Sequence, residues 1–227
     1  MINLARNDLV WTTALAWQQI EHQAWDGQAQ EIISHWRANN LPLVVCRQRD
    51  EIFPDQISVG LPAPTQWARR RLALTINTSS IAESGAFPTL TQIASTHRNQ
   101  PAEVDLDSAL SELGAQAQVY GSYGWQVLTG LVYLHEDSDI DISVRVKNFD
   151  MAWQAVHQLA TTQLPSRIDG EIVFPDGKAI AWRELLQLIT RQTSQVMVKD
   201  RYSVRLATLE EISSFGRGVQ VATPAPN

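Results

Sequence analysis

Polar and apolar residues alternate without a break from Asp139 to Val146. Ile140, Ile142, Val144 and Val146 fall on one side, and Asp139, Asp141, Ser143 and Arg145 on the other. A period of two marks a strand with one buried face. The same reading gives a series of short elements before it. Ala14 to Arg37 has apolar and aromatic positions at helical spacing (Leu15, Ile20, Ala24, Ile32, Ile33, Trp36), so it predicts a helix, stopped by Asn39-Asn40 and Pro42. Leu41 to Arg47 predicts a buried strand. Gln56 to Leu61 and Arg71 to Ile76 predict two more, joined through Pro62-Ala63-Pro64. Residues 77–88, with Asn77-Thr78-Ser79-Ser80, Gly85 and Pro88, read as a polar connector. It divides the chain into a small N-terminal α+β domain, 1–80, and a larger domain, 85–227.

The larger part begins with two helical pieces, Thr89 to Thr96 and Leu106 to Leu113. Asp105 or Asp107 is placed to complement the N-terminus of the second, and Gly114 closes it. Gln118-Val119-Tyr120 is a strand running into Gly121-Ser122, with a helix following through Trp125, Val127 and Leu128. After the alternating strand come a helix at Met151 to Thr162, a strand at Arg167 to Phe174 and a turn at Pro175-Asp176-Gly177. A helix at Ala181 to Arg191 and a short strand at Gln195 to Val198 complete the series. Trp125, Trp153 and Trp182 fall within helices and read as core, and the tail from Gly216 to Asn227 reads as frayed. The order is strand, Gly-Ser, helix, strand, helix, strand, helix. It predicts an α/β (α+β) fold with a mixed sheet and flanking helices.

Composition narrows the functional classes. The 227 residues are 44% hydrophobic, with a net charge of −6 and a pI near 5.3. This balance folds, and it argues against a dedicated nucleic-acid binder. No apolar stretch is long enough for a membrane span and residues 1–6 lack a signal-peptide core, so a cytoplasmic protein is expected. Cys46 is the sole cysteine, which excludes an intrachain disulfide and a cysteine zinc site. Beside Leu43-Val44-Val45 it reads as a small buried hydrophobe. Arg69-Arg70-Arg71 is the densest positive run, either facing a phosphate or forming a solvated edge ahead of a strand. His97, His135 and His157 show no metal-ligand spacing and read as surface or loop residues.

Asp139 and Asp141, two residues apart on a strand, put two carboxylates on one side. Their repulsion raises a pKa unless a cation lies between them, and magnesium prefers such hard oxygens together with substrate phosphates. Asp169 and Glu171 repeat the spacing on the next strand. Asp169 is favoured as the third carboxylate for its shorter side chain, with Glu171 open. Gly121-Ser122 supplies a close backbone approach, helix N-terminal amides and a hydroxyl for anionic oxygens.

Together these features resemble the nucleotidyltransferase superfamily, marked by a Gly-Ser turn followed by a D-x-D strand. Further segments resemble one family within it, the malonate decarboxylase holo-acyl-carrier-protein synthases, or phosphoribosyl-dephospho-CoA transferases. They are Val119 to Gln126, Leu128-Thr129-Gly130-Leu131, Tyr133-Leu134 and Ser138 to Asp141, then Asp169-Gly170-Glu171, Pro175-Asp176-Gly177 and Ala181-Trp182-Arg183-Glu184. Leu41 to Val45 with Arg47, Val59-Gly60-Leu61 and Arg70-Arg71 extend the likeness over nearly the whole chain. The stretch 123–138 between the two hallmark motifs is longer than in many superfamily members.

The resemblance implies transfer of a phosphoribosyl-dephospho-CoA group from its triphosphoribosyl donor to a serine of the malonate decarboxylase acyl-carrier subunit. Pyrophosphate would leave in a two-metal in-line displacement. It implies Mg2+, or Mn2+, held by Asp139, Asp141 and Asp169, which are also the catalytic residues. Gly121 and Ser122 would bind phosphates and Lys178 would offset triphosphate charge. Trp125 would wall the nucleotide pocket, with Ser138 and Glu171 also at the substrate. The competing readings are an ATP-dependent nucleotidyltransferase with another acceptor, and a non-catalytic module of the same fold.

Overall fold

The computed structural model describes residues 4–48, 53–96 and 101–216. His97 and the tail beyond Gly216 lie outside them.

In the N-terminal half, β1 (Leu9–Thr12), β2 (Leu43–Val45), β3 (Gln56–Pro62), β4 (Arg71–Asn77) and β5 (Ile81–Gly85) form one antiparallel sheet in the order β4-β3-β2-β1-β5. Alternation drives its burial. Ile57, Val59 and Leu61 of β3 and Leu72, Leu74 and Ile76 of β4 point to one face. Helices α1 (Ala14–Glu21) and α2 (Gly27–Ala38) contribute to the same core through Trp17, Ile20, Ile32, Ile33 and Trp36. The continuous helix expected over 14–37 is thus two helices. Asp26 caps the second, its carboxylate accepting from the Ala29 amide at 3.0 Å, and Gly27 follows it, so the chain restarts there. The connector expected at 77–88 contains β5, whose residues pair with β1 despite their polar character. As an exposed edge strand, β5 has no buried face to reveal it by alternation.

The C-terminal half carries α3 (Leu90–Thr96), α4 (Pro101–Glu112), β6 (Gln116–Tyr120), α5 (Gly121–Thr129), β7 (Ile140–Arg145), α6 (Phe149–Thr161), β8 (Ile168–Val173), β9 (Ala179–Ala181), α7 (Trp182–Ile189), β10 (Gln195–Lys199), β11 (Val204–Thr208) and α8 (Leu209–Ser213). Six strands form a mixed sheet in the order β11-β10-β9-β8-β7-β6, in which only β7 and β8 are parallel. The apolar face of β7, with Ile140, Ile142 and Val144, packs into a core with Ala152, Val156, Leu159, Leu185 and Leu188. The fold is α+β. Asp107 complements a different helix from the one expected: its carboxylate accepts from the amide and hydroxyl of Thr91, at the start of α3, while α4 already begins at Pro101. Trp153 is 44% exposed on α6 rather than core, stacked edge-on against His157, whereas Trp125 and Trp182 are buried.

The two halves are clasped together. Arg6 and Asn7 reach Glu171 of β8, Arg145 of β7 donates to Asp8 at 2.6 Å, and the Tyr133 hydroxyl donates to the Pro62 carbonyl at 2.7 Å. Leu9, Phe87, Trp125 and Tyr133 form a small apolar cluster drawn from both halves. No described helix is long and apolar enough to cross a membrane.

Candidate active site

Strand register brings the acidic residues together. Asp141 on β7 is the direct neighbour of Asp169 on parallel β8 and of Tyr120 on β6, and Asp139 enters β7 two residues earlier. Gly170 permits this pairing. Its φ of 131° and an ideal Cβ 1.8 Å from the Ile142 carbonyl leave no room for a side chain between Asp169 and Glu171.

Three carboxylates this close repel one another. Burial first, then Asp169 and then Asp139, push the Asp141 carboxyl up to about 6. One cation flanks the group: the exposed Arg167 lies 3.5 Å from Asp139 and 3.9 Å from Asp169. Asp139, Asp141 and Asp169 are all hard oxygen donors, and Asp141 carries a charge that its surroundings disfavour. The set therefore fits a divalent cation in chemistry. Among the described residues, no three His, Cys, Asp or Glu side chains form a preassembled cage. An ion there would complete its shell with water and substrate phosphates, as magnesium commonly does.

Gly121 sits against this cluster. It begins α5 with φ 62°, and a Cβ there would lie 1.9 Å from the Asp141 carboxylate oxygen. The N-terminal amides of α5 thereby start directly beside the acids, with Ser122 next in line. Gly121, Ser122, Tyr120 and Asp141 line a cleft of about 620 Å3 together with Trp125, Phe87, Tyr133 and the N-terminal residues Asn7, Cys46, Gly60, Arg69 and Arg71. Trp125 presents an aromatic wall, edge-on to Phe87 at 5.4 Å and stacked on Tyr133 at 6.4 Å. Cys46 is half-buried on this cleft rather than enclosed in the core, and burial raises its thiol pKa. Burial, then Glu171 and Asp141, keep the Tyr120 hydroxyl protonated far above neutral pH.

Three other sequence candidates have different surroundings. Ser138 is buried, and its hydroxyl accepts from the His135 amide at 3.0 Å, shaping the turn that delivers Asp139. Glu171 is 7% exposed and already engaged by Arg6 and Asn7. Lys178 is not brought to the carboxylates. It pairs with Asp176 at 2.6 Å and lies 4.5 Å over the Phe215 ring, lining a separate cavity of about 540 Å3 past the C-terminal ends of β7 and β8. The acids stand toward the opposite ends of those strands, some 13–20 Å away at about 3.3 Å per residue. Arg167 escaped sequence reasoning although its spacing from Asp169 placed it on the same side. Arg6 and Asn7 carried no local signal, since their roles arise from packing between the halves.

Similarity to known proteins follows the same two halves. Residues 5–87 match the family model described as the phosphoribosyl-dephospho-CoA transferase MdcG N-terminal domain, and residues 85–210 match that of its C-terminal domain. A phosphoribosyl-dephospho-CoA transferase of Xanthomonas axonopodis pv. citri is 32% identical over 213 residues, covering 88% of this chain and 92% of the relative. One of Xanthomonas campestris pv. campestris is 33% identical over 205 residues, and one of Bradyrhizobium diazoefficiens 29% over 208. No solved structure matches. With both halves matched in order and relatives aligned over most of their length, the chain belongs to the phosphoribosyl-dephospho-CoA transferase family.

Proposed function

We propose that this protein transfers the phosphoribosyl-dephospho-CoA group from its triphosphoribosyl donor to a serine of the malonate decarboxylase acyl-carrier subunit. The observation that carries the reading is the acidic cluster of Asp139, Asp141 and Asp169, whose central member Asp141 sits directly against Gly121 and lines the aromatic-walled cleft. The relatives' names supply the donor class. The acceptor follows from the resemblance already described.

The serine oxygen attacks the phosphorus nearest the ribose. A new P–O bond forms, the bond from that phosphorus to the oxygen bridging it to the second phosphorus breaks, and pyrophosphate leaves with that oxygen and the electron pair. The serine proton passes to a carboxylate, for which Asp169 is the accessible choice. Asp139, Asp141 and Asp169 would hold Mg2+ or Mn2+, which supplies charge neutralisation on the phosphates. The Gly121-Ser122 amides and hydroxyl bind the departing phosphates, and the Trp125 wall excludes water from one side.

The test is incubation of the purified protein with the donor and the apo carrier subunit, followed by intact mass of the carrier. The expected result is a mass gain that requires magnesium and is absent for Asp139→Ala. An unmodified carrier, with the donor intact, refutes the assignment.

A further inference from the structure

Among the described residues lining the aromatic cleft, the cations are Arg69 and Arg71, both contributed by the N-terminal half. Neither is used by the mechanism above. The middle arginine of the run is occupied elsewhere: Arg70 forks onto the Asp26 carboxylate and reaches Gln28. Among the described residues, neither Arg69 nor Arg71 enters an ion pair. Both are exposed on the cleft side.

The turn that presents them is well hydrogen-bonded and unusual. Ala68 and Arg69 both adopt left-handed backbone conformations, with φ of 53° and 55°. Two successive non-glycine residues rarely do so, and such conformations persist where surrounding structure enforces them and cluster at functional sites. Enforcement is visible here. The Ala63 amide donates to the Arg70 carbonyl at 2.8 Å and the Arg69 amide to the Pro64 carbonyl at 3.1 Å. Buried Trp67 anchors the turn against His35 and Trp36, and the Tyr133 hydroxyl ties Pro62 to the C-terminal half.

We propose that Arg69 and Arg71 bind a diphosphate group of the nucleotide donor, which makes the N-terminal sheet part of the active site. Guanidinium groups match phosphate oxygens in a planar fork, and two unpaired ones facing a nucleotide-sized cleft provide charge that the carboxylates do not. The identity of the ligand rests on the proposed function; the location of the diphosphate subsite does not. The donor contains two sources of this chemistry, its triphosphate end and the internal diphosphate of the CoA moiety.

Calorimetric titration of the full chain with magnesium pyrophosphate, and separately with dephospho-CoA, tests the idea. The variants are Arg69→Gly, Arg71→Gln and the double variant, with Arg70→Ala as control. Glycine suits a φ of 55°, so Arg69→Gly removes the charge without straining the turn. Each single change is expected to weaken binding of one ligand roughly tenfold, and the double change about fiftyfold or more, with the control within about twofold. Loss confined to pyrophosphate assigns the arginines to the triphosphate end. Loss confined to dephospho-CoA assigns them to the internal diphosphate. A double variant that melts like wild type and binds both ligands normally overturns the proposal, as does a wild type that binds neither. If wild type fails to modify the carrier while the arginine variants still lose pyrophosphate, the subsite stands and the acceptor assignment falls.

Discussion

Replacing Asp141 by Asn separates what the acidic cluster does for catalysis from what it does to stability. Asparagine keeps the shape of the side chain and removes its charge. In the folded, metal-free protein the Asp141 carboxyl lies near 6, against an ordinary value of 3.8, because burial and the neighbouring Asp169 and Asp139 disfavour ionisation. A carboxyl with a raised folded pKa binds more protons folded than unfolded between those two values. Stability therefore falls as pH rises from about 4 to about 6, and the full penalty is present above that window. At 1.36 kcal/mol per pH unit the gap is worth at most about 3 kcal/mol. Solvent reaches part of the side chain, so roughly half of that, about 1.5 kcal/mol, is a reasonable expectation.

For a chain of this size, such a gain raises Tm by about 3–6 °C. Asp141→Asn without metal should thus melt higher than wild type at pH 8, and the difference should shrink toward zero near pH 4. Transfer activity should fall by at least about a hundredfold in the same variant. Magnesium should raise the melting temperature of wild type and do little for the variant. Scanning calorimetry at both pH values, with and without magnesium, reads all of this. A variant that melts at or below wild type at pH 8 refutes the charge-repulsion account. So does a gain that persists unchanged at pH 4.

Gly121→Ala should cost about 1–3 kcal/mol and reduce turnover by at least tenfold, because its Cβ would press on the Asp141 carboxylate from a left-handed backbone; denaturant unfolding and carrier mass together check it. Arg6→Ala should destabilise by about 2–4 kcal/mol, since it strands Glu171 as a buried charge, whereas Glu171→Gln should cost less because Arg6 keeps access to water; urea midpoints for both variants give the comparison. Tyr133→Phe should cost about 1 kcal/mol through the lost hydrogen bond to Pro62. A larger rise in donor KM than fall in kcat would show that the bond positions the N-terminal turn.

The sequence reveals this fold best where burial is one-sided. The strict alternation from Asp139 to Val146 marks β7 to within a residue, because its buried face packs on helices and its other face carries the acids. The same rule finds β3 and β4. It fails at β5, β9 and β11: β5 is a polar edge strand paired with distant β1, β9 has only three residues, and β11 is a largely exposed edge strand beside β10. The acidic pairs and the Gly-Ser turn are legible as chemistry, because spacing of two on adjacent strands fixes their common side. What spacing cannot reveal is register. Only strand pairing makes Asp141 the neighbour of Asp169, and only packing between halves gives Glu171 to Arg6 and brings Arg69 and Arg71 to the cleft.

The fate of Glu171 bears on the choice of third carboxylate. Asp169 and Glu171 share one side of β8, and side-chain length alone argues weakly between them. Arg6 and Asn7, arriving from the start of the chain, engage Glu171 and leave it nearly inaccessible, while the Asp169 side chain remains 44% exposed beside Asp141. A carboxylate satisfied by a guanidinium and an amide gains little by turning to a metal or a serine hydroxyl, and turning would leave Arg6 unpaired. On the mechanism proposed above, the clasp between the halves would therefore leave Asp169 as the third carboxylate. It also fixes the N-terminal sheet, and with it the arginine turn, against the sheet that carries Asp139 and Asp141. Loosening the clasp should then impair substrate binding and stability together, whereas removing Asp169 should impair turnover while leaving stability unchanged or slightly raised, because Asp141 loses a repelling neighbour.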